Sequence, residues 1–333
     1  MPRLRRILLA FDGSKGATQA LVDLKRNRAG LAGDVEMIVL CVADMLTAER
    51  FGAFGIADSD AVPVTEAQLR GIQEAERTAL RRARQVALKA SEELRAEHPG
   101  WEVRAESCAD APAWGIIKRA EEWKADLIVL GSHGRSAFGR VILGSVSHAV
   151  VREAPCSVRI VRGHIGARYA PVRLAIGFDA SADAEAAVQA VAERAWPAGS
   201  LARLVTAIDG RLSAAVPLVR RAAKQQTWMH RMIEDPVERL RAAGLTVSTV
   251  VKLGDPRNVL LAEARRWEAD TVFVGARGVR GIRRFLLGSV STAVAMQGPC
   301  PVEVVRSALS RPAGGEPVRR EAGLHEAAMP GAV

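Results

Sequence analysis

Gly131-Ser132-His133-Gly134-Arg135-Ser136-Ala137-Phe138-Gly139-Arg140-Val141-Ile142-Leu143-Gly144-Ser145 is echoed by Gly275-Ala276-Arg277-Gly278-Val279-Arg280-Gly281-Ile282-Arg283-Arg284-Phe285-Leu286-Leu287-Gly288-Ser289. Gly275, Gly278, Gly288 and Ser289 each lie 144 positions after Gly131, Gly134, Gly144 and Ser145. An apolar run leads into each copy (127–130 and 271–274), and a helix-compatible segment follows it (146–151 and 290–296). The order is strand, glycine loop, helix, written twice.

Glycine suits such a loop because it tolerates positive φ and, lacking a Cβ, lets main-chain N–H groups approach a ligand closely. A helix N-terminus adds unpaired donors and a partial positive charge, a combination that favours phosphate oxygens. Ser145 and Ser289 are expected to cap the helices that follow, as Ser often does, and to touch a phosphate. One such pattern is a weak sign, since glycine punctuates loops everywhere. Two copies, each between a buried strand and a helix, are a much stronger one.

The chain has 333 residues, of which 49% are hydrophobic and 25% charged, a balance that suits roughly two globular domains. Lys and Arg number 47 against 37 Asp and Glu, a formal charge of +10 that is compatible with an anionic partner. A basic balance alone argues little for nucleic acid, and an aromatic content of 4% with one Tyr offers no stacking platform for single strands. Cys41, Cys108, Cys156 and Cys300 are far apart, lack paired zinc spacing and fall in or beside apolar runs. Their plain reading is buried, reduced thiols of a cytosolic protein. Asp12 cuts the first apolar run short of a signal-peptide core, and no run approaches the length of a membrane span. The expected location is therefore the cytoplasm, with no membrane partner.

In chain order, residues 7–11 read as a buried strand ending at the turn pair Asp12-Gly13, and Ser14 as the cap of a helix reaching about Ala29. A second strand covers 35–42, an irregular loop 46–64, and a long Ala-, Leu-, Glu- and Arg-rich helix 66–97, stopped by Pro99-Gly100. Strands at 103–108, 126–130 and 156–161 enclose a helix from Pro112 to near Trp123 and the glycine loop with its helix. Strands alternating with helices imply parallel pairing and right-handed crossovers. Ligands in such sheets bind at the carboxyl ends of strands, where strand order reverses.

After a linker at 163–171 the programme restarts. Strands are expected at 173–178, 201–208, 246–253, 271–274 and 302–305, and helices at about 218–243 and 256–267. Asp179-Ala180-Ser181 answers Asp12-Gly13-Ser14, and the offset stays at 144 from Trp123/Trp267 through Arg162/Arg306. This is a duplication. The expected domains are 1–164 and 165–306, with 307–333 a disordered tail.

The residues just quoted, with the opening Leu8-Leu9-Ala10-Phe11-Asp12-Gly13-Ser14, the strand Ala125-Asp126-Leu127-Ile128-Val129-Leu130-Gly131 and the segments Gly144-Ser145-Val146-Ser147 and Ala154-Pro155-Cys156, resemble the universal stress protein family as a tandem of two domains. The resemblance implies an α/β fold of two Rossmann-like, doubly wound domains, each a five-stranded parallel sheet flanked by helices, of the adenine nucleotide alpha hydrolase-like type. It implies ATP, with Mg2+ as a possible companion ion, at two sites. The first site would use Asp12, Val42, Gly131, Gly134, Gly144, Ser145, Val146 and Ser147. The second would use Asp179, Ala207, Gly275, Gly278, Gly288, Ser289, Val290 and Ser291. The Asp after strand one and main chain near the end of strand two would hold adenosine, and the glycine loop the phosphates. Apart from the resemblance, arginines crowd both loops (Arg135 and Arg140; Arg277, Arg280, Arg283 and Arg284), and of these Arg140 and Arg284 are expected to pair with phosphate oxygens. Family members commonly dimerise through the fifth strand, so 156–161 is expected to pair with 300–305 as an intramolecular pseudo-dimer, with a homodimer of the chain as a further assembly.

Two departures stand out: Leu253-Gly254-Asp255-Pro256 is the usual family turn where the first copy has Ala109-Asp110-Ala111-Pro112, and Ala180 replaces the glycine after the strand-end Asp. His133 and His148 read as surface and helix residues, and Trp123 and Trp267 as core anchors at helix ends. The main expectation is a nucleotide-dependent regulatory protein of the stress response. The alternatives are a slow ATPase or nucleotidyl transferase, and a nucleotide-free interaction protein. Neither copy has the G-x-x-x-x-G-K-[ST] loop that supplies a phosphate-contacting lysine and a magnesium-holding hydroxyl.

Overall fold

The computed structural model describes residues 6–27, 29–31, 33–44, 66–133, 143–163, 165–167, 169–208, 232–278 and 287–307. The expected loop at 46–64, the tail beyond Ser307 and the helical stretch before residue 232 lie outside the described residues.

The first half runs β1 (Arg6–Ala10), α1 (Lys15–Lys25), β2 (Glu36–Asp44), α2 (Glu66–Glu97), β3 (Glu102–Asp110), α3 (Pro112–Trp123), β4 (Leu127–Gly131), α4 (Ser145–Glu153) and β5 (Ser157–Val161). The second repeats it as β6 (Arg173–Gly177), α5 (Ala182–Ala192), β7 (Leu201–Ile208), a helix α6 described over 232–242, β8 (Thr246–Leu253), α7 (Pro256–Arg266), β9 (Thr271–Gly275), α8 (Ser289–Gln297) and β10 (Val302–Val305). Helix α1 stops short of the expected Ala29 because Asn27 takes a left-handed φ of 50°. The Asn27 side chain then clasps the turn, donating to Leu31 O and accepting from Leu31 N at 2.8 Å each.

The strands form one ten-stranded sheet in the order β3-β2-β1-β4-β5-β10-β9-β6-β7-β8. Pairing is parallel inside each half and antiparallel at the seam, where Val302, Glu303 and Val304 face Ile160, Arg159 and Val158. On one face, α3, α4, α7 and α8 cover a single apolar core that crosses the seam, including Ile128, Val150, Val158, Val272, Val294 and Val302. The other face carries two separate cores, one under α1 and α2 and one under α5 and α6. The start of the linker lies against α1 and the residue after it, with Gln19 donating to Gly163 O at 3.1 Å and Arg26 to Ile165 O at 2.6 Å.

Charge is buried at the seam. Arg159 of β5 and Glu303 of β10 are both fully buried. Arg159 donates through Nε and Nη2 to Asp23 of α1 at 2.8 and 2.9 Å, and its Nη1 lies 3.6 Å from Glu303. Arg194, just past α5, donates to Glu303 and, at 3.0 Å, to Ala29 O. Burial works against the charged form of Arg159, but Asp23 and then Glu303 outweigh it and raise its pKa. The network ties an edge strand of each half to a helix of each half.

Two glycines set how closely helices lie on the sheet. A Cβ on Gly131, the last residue of β4, would stand 2.2 Å from Gly16 C and 2.7 Å from Ala17 N, inside the first turn of α1. A Cβ on Gly275 would stand 2.5 Å from Asp183 C in the equivalent turn of α5. Backbone meets backbone at both places, so these glycines admit a helix rather than a ligand.

Arg159→Met leaves Asp23 buried without its cation and is expected to cost about 3–5 kcal/mol in chemical denaturation. Asp23→Leu combined with Arg159→Met should recover most of that, since Glu303 keeps Arg194. Gly131→Ala is expected to destabilise the ligand-free protein by about 1–3 kcal/mol through overpacking against α1, and an unchanged melting temperature would contradict that contact.

Candidate functional site

In each half the chain leaves the central strand in one direction and returns on its other side. β1 is flanked by β2 and β4, and β6 by β7 and β9. The reversal opens a crevice beyond the carboxyl ends of β1 and β4, and another beyond β6 and β9. Asp12 and the 131–133 segment stand at the first, and Asp179 and the 275–278 segment at the second.

The turns after β1 and β6 are built alike. Asp12 Oδ1 accepts from Ser14 N at 2.9 Å, and Asp179 Oδ1 from Ser181 N at 3.0 Å. Between them Gly13 has φ 76° and Ala180 φ 60°, so the alanine takes the left-handed conformation and the turn is preserved. Ser14 and Ser181 cap α1 and α5 by accepting from Ala17 N and Ala184 N at 3.2 Å. Their hydroxyls also donate across the crevice floor to His133 O at 3.4 Å and Arg277 O at 3.1 Å. Each strand-end Asp is thereby fixed relative to the start of the glycine loop.

Val42 and Ala207 enter through their main chain. Phe11 N donates to Leu40 O, and Phe178 N to Val205 O, both at 2.9 Å, so those carbonyls face the central strand. Two residues on, the alternation of a strand turns the peptide groups of Val42 and Ala207 to the same side. There β1 and β6 have ended, since the registers stop at Ala10↔Leu40 and Gly177↔Val205.

The helices after the loops start differently from the expectation. The N-caps of α4 and α8 are Gly144 and Gly288, placed in the extended region by ψ of 156° and 152°, and neither makes a side-chain cap hydrogen bond. Ser145 and Ser289 are the first helical residues, exposed, and do not cap. A glycine at the N-cap contributes no side-chain acceptor, so among the described residues no cap side chain meets the first-turn amides of Ser145, Val146 and Ser147, or of Ser289, Val290 and Ser291. By contrast α1, α5 and α7 carry side-chain caps from Ser14, Ser181 and Asp255. The Ser147 and Ser291 hydroxyls are buried and donate to Gly131 O at 2.8 Å and Gly275 O at 2.5 Å, pinning each helix to the end of its strand.

Gly278 lies against Asp179: a Cβ there would stand 2.6 Å from Asp179 Oδ2. Gly134, Arg140 and Arg284 lie outside the described residues, as do Arg135, Arg280 and Arg283. Arg277 is engaged with a residue that sequence reasoning missed. Asp183, 3% exposed, accepts through Oδ2 from Arg277 N at 3.0 Å and Nε at 3.1 Å, and through Oδ1 from Ser307 N at 3.1 Å. The offset of 167 that matches Ser14 with Ser181 sets Asp183 opposite Gly16, and the offset of 144 at the loops sets Arg277 opposite His133, so the second copy gains a carboxylate and a guanidinium where the first has neither. The His133 ring donates or accepts at Ser132 Oγ through Nδ1 at 2.9 Å, and its Nε2 is buried.

The walls differ where the turn motifs differ. Asp255 caps α7 by accepting from Arg257 N at 2.9 Å, and the Arg257 side chain holds its carboxyl down to about 2. In the first half Ala111 takes the N-cap place with no side-chain bond, while Asp110 turns back to accept from Ala111 N at 2.6 Å. An open cleft of about 470 Å³ lined by Pro171, Arg173, Glu268 and Asp270 sits at the amino ends of the second half-sheet, the wrong end for the crevice just described. Trp123 and Trp267 pack at the edge of the shared core, as expected. Cys41, Cys156 and Cys300 are buried thiols, while Cys108 is half-buried; none is in a disulfide.

Comparison with known proteins agrees with this architecture. The model of the universal stress protein family matches residues 3–162 and again 173–306. Universal stress protein Rv2005c of Mycobacterium tuberculosis is 30% identical over 220 residues, covering 61% of this chain and 69% of that protein. Universal stress protein MJ0531 of Methanocaldococcus jannaschii is 40% identical over 78 residues, 23% of this chain and 45% of that one. A solved universal stress protein from Archaeoglobus fulgidus superimposes with a TM-score of 0.59 over 92% of this chain and 99% of its own, and at 21% identity that likeness speaks to the fold. With two matches end to end spanning both half-sheets, the chain belongs to the universal stress protein family.

Proposed function

We propose that each half binds an adenine nucleotide, ATP foremost, and that occupancy makes the chain a regulatory module of the stress response. The observation that carries this reading is the doubled crevice. In each, an Asp-bearing turn, strand-two peptide groups beyond the end of the central strand and a helix N-terminus without a side-chain cap stand at a switch point of the sheet. Carboxylate suits a ribose diol, main-chain donor and acceptor suit an adenine edge, and helix amides suit phosphate oxygens.

In this assignment Asp12 and Asp179 hold the ribose, and Val42 and Ala207 the base. The amides of Ser145, Val146 and Ser147, and of Ser289, Val290 and Ser291, receive the phosphates, with the exposed Ser145 and Ser289 hydroxyls beside them. Gly134 and Gly278 keep the loop clear of the nucleotide, and Arg140 and Arg284 supply charge. Gly131 and Gly275 contribute by letting α1 and α5 close on the strand ends. Mg2+ would be carried by phosphate oxygens and water, because no group of three ligating side chains converges among the described residues.

Asp12→Ala should weaken ATP at the first site, and Asp179→Ala at the second, each by about ten- to a hundredfold, the loss of a charged hydrogen-bond acceptor. Isothermal titration reads both, and the double variant should retain neither site. Wild-type affinity in the double variant would contradict the assignment. In a turnover assay the wild-type protein is expected to bind ATP without repeated hydrolysis.

A further inference from the structure

Two arginines stand at matching places on the seam. Arg162 follows β5 and Arg306 follows β10, 144 positions apart. Because β5 and β10 are antiparallel, the end of each strand lies beside the start of the other, where the other half's loop helix has just finished. Arg162 donates through Nη1 to Met296 O at 2.8 Å and through Nη2 to Ala295 O, in the last turn of α8. Arg306 donates through Nη2 to Val151 O at 2.9 Å and Arg152 O at 3.1 Å, in the last turn of α4. Each arginine therefore closes the helix of the opposite half.

These are the same two helices that begin uncapped at the crevices. A cation at a helix C-terminus complements the dipole whose positive end faces the other way. The placement is costly: Nε of both side chains is buried without a hydrogen-bond partner. Burial pushes Arg162 down to about 10 and lowers Arg306 as well, yet Arg162 remains charged at neutral pH. An exposed lysine or water could satisfy a helix end at less expense, so two desolvated guanidiniums at equivalent positions call for a further role.

We infer that Arg162 and Arg306 are positioning residues acting in trans: each half's nucleotide site is completed by an arginine of the other half, which anchors the phosphate-binding helix and sets a positive charge at its far end. The inference rests on the nucleotide reading above. A nine-residue helix is about 13 Å long. At an effective dielectric of about 20, Coulomb's law across that distance gives roughly tenfold in affinity per unit charge. Water and salt around the exposed phosphates screen most of this, so the loss expected for ATP as a whole is about tenfold.

The test uses the full chain with one site disabled at a time, by Asp12→Ala or Asp179→Ala, and titrates ATP and AMP. Arg306→Met, in the Asp179→Ala background, should weaken ATP at the first site about tenfold and AMP less. In the Asp12→Ala background it should leave the second site within about twofold. Arg162→Met should give the mirror image. Lysine at either position keeps the charge and should retain most of the affinity. Glutamine keeps a donor to the carbonyls but loses the charge, and replaces methionine should that variant not fold. Loss at the arginine's own half, equal loss for ATP and AMP, or no loss would overturn the inference. Failure of the wild-type protein to bind ATP would instead overturn the proposed function, and this inference with it.

Discussion

The antiparallel pairing of β5 with β10 is the constraint on which the molecule turns. Two parallel half-sheets, each with its own helices, have nothing in their connectivity that would join them. Strand β5 would otherwise present an unpaired edge, a liability for any sheet. The duplication supplies a second copy of that edge in the same chain, and the two satisfy one another. The apolar core under α3, α4, α7 and α8 then runs unbroken across the seam, while Arg159, Asp23, Glu303 and Arg194 occupy the other face as a buried charge network. Such networks add little net stability compared with apolar packing, but removing one member is expensive. In this register each buried charge of the network meets an opposite one, Arg159 with Asp23 and Glu303 with Arg194.

Once the seam is set, the positions of the two crevices follow. Strand order reverses between β1 and β4 and between β6 and β9, and the loops at those carboxyl ends have little choice but to face a common opening. Among the described residues, much of what the structure sets at these strand ends is main chain. The Asp-bearing turns are locked by their own serine caps, which reach across to the loop carbonyls, and the helices after the loops start from glycine without a capping side chain. A site built from backbone is tolerant of sequence: Ala180 replaces Gly13 and keeps the left-handed turn, and Arg277 replaces His133 with the same carbonyl contact to the capping serine. Asp183 marks where the halves have diverged, since it ties the second loop to Ser307 through bonds that the glycine at position 16 cannot make.

Much of this was legible in the residues. Periodicity and punctuation placed the strands within a residue or two, as at Thr246–Leu253 and Leu201–Ile208, and the Pro112 start of α3. The central parallel strands are short apolar runs bounded by turn residues, and the edge strand Thr246–Leu253 shows itself by its β-branched residues. The site was legible by position and less so by role. Ser145 and Ser289 look like caps because serine commonly is one, yet the glycine before each takes that place, which only backbone dihedrals reveal. Gly131 and Gly275 look like openings for phosphate, but the space they leave is filled by α1 and α5. The hydroxyls of Ser147 and Ser291 look like ligand contacts, yet they donate to Gly131 O and Gly275 O and hold helix to strand, which leaves only the main-chain amides of these residues for a ligand. In each case the sequence pattern is compatible with two uses of a small residue, and the choice depends on what packs against it. The cross-half bonds of Arg162 and Arg306 were visible only as a repeated arginine at a constant offset.

Amide hydrogen exchange of the full chain with and without saturating ATP tests the central claim most directly, because the proposed phosphate contacts are main-chain N–H groups. Exchange should slow at residues 144–147 and 288–291 together on adding ATP, at the starts of α4 and α8. Unchanged exchange at both helix starts, with ATP shown to be bound, would place the nucleotide elsewhere and contradict the account.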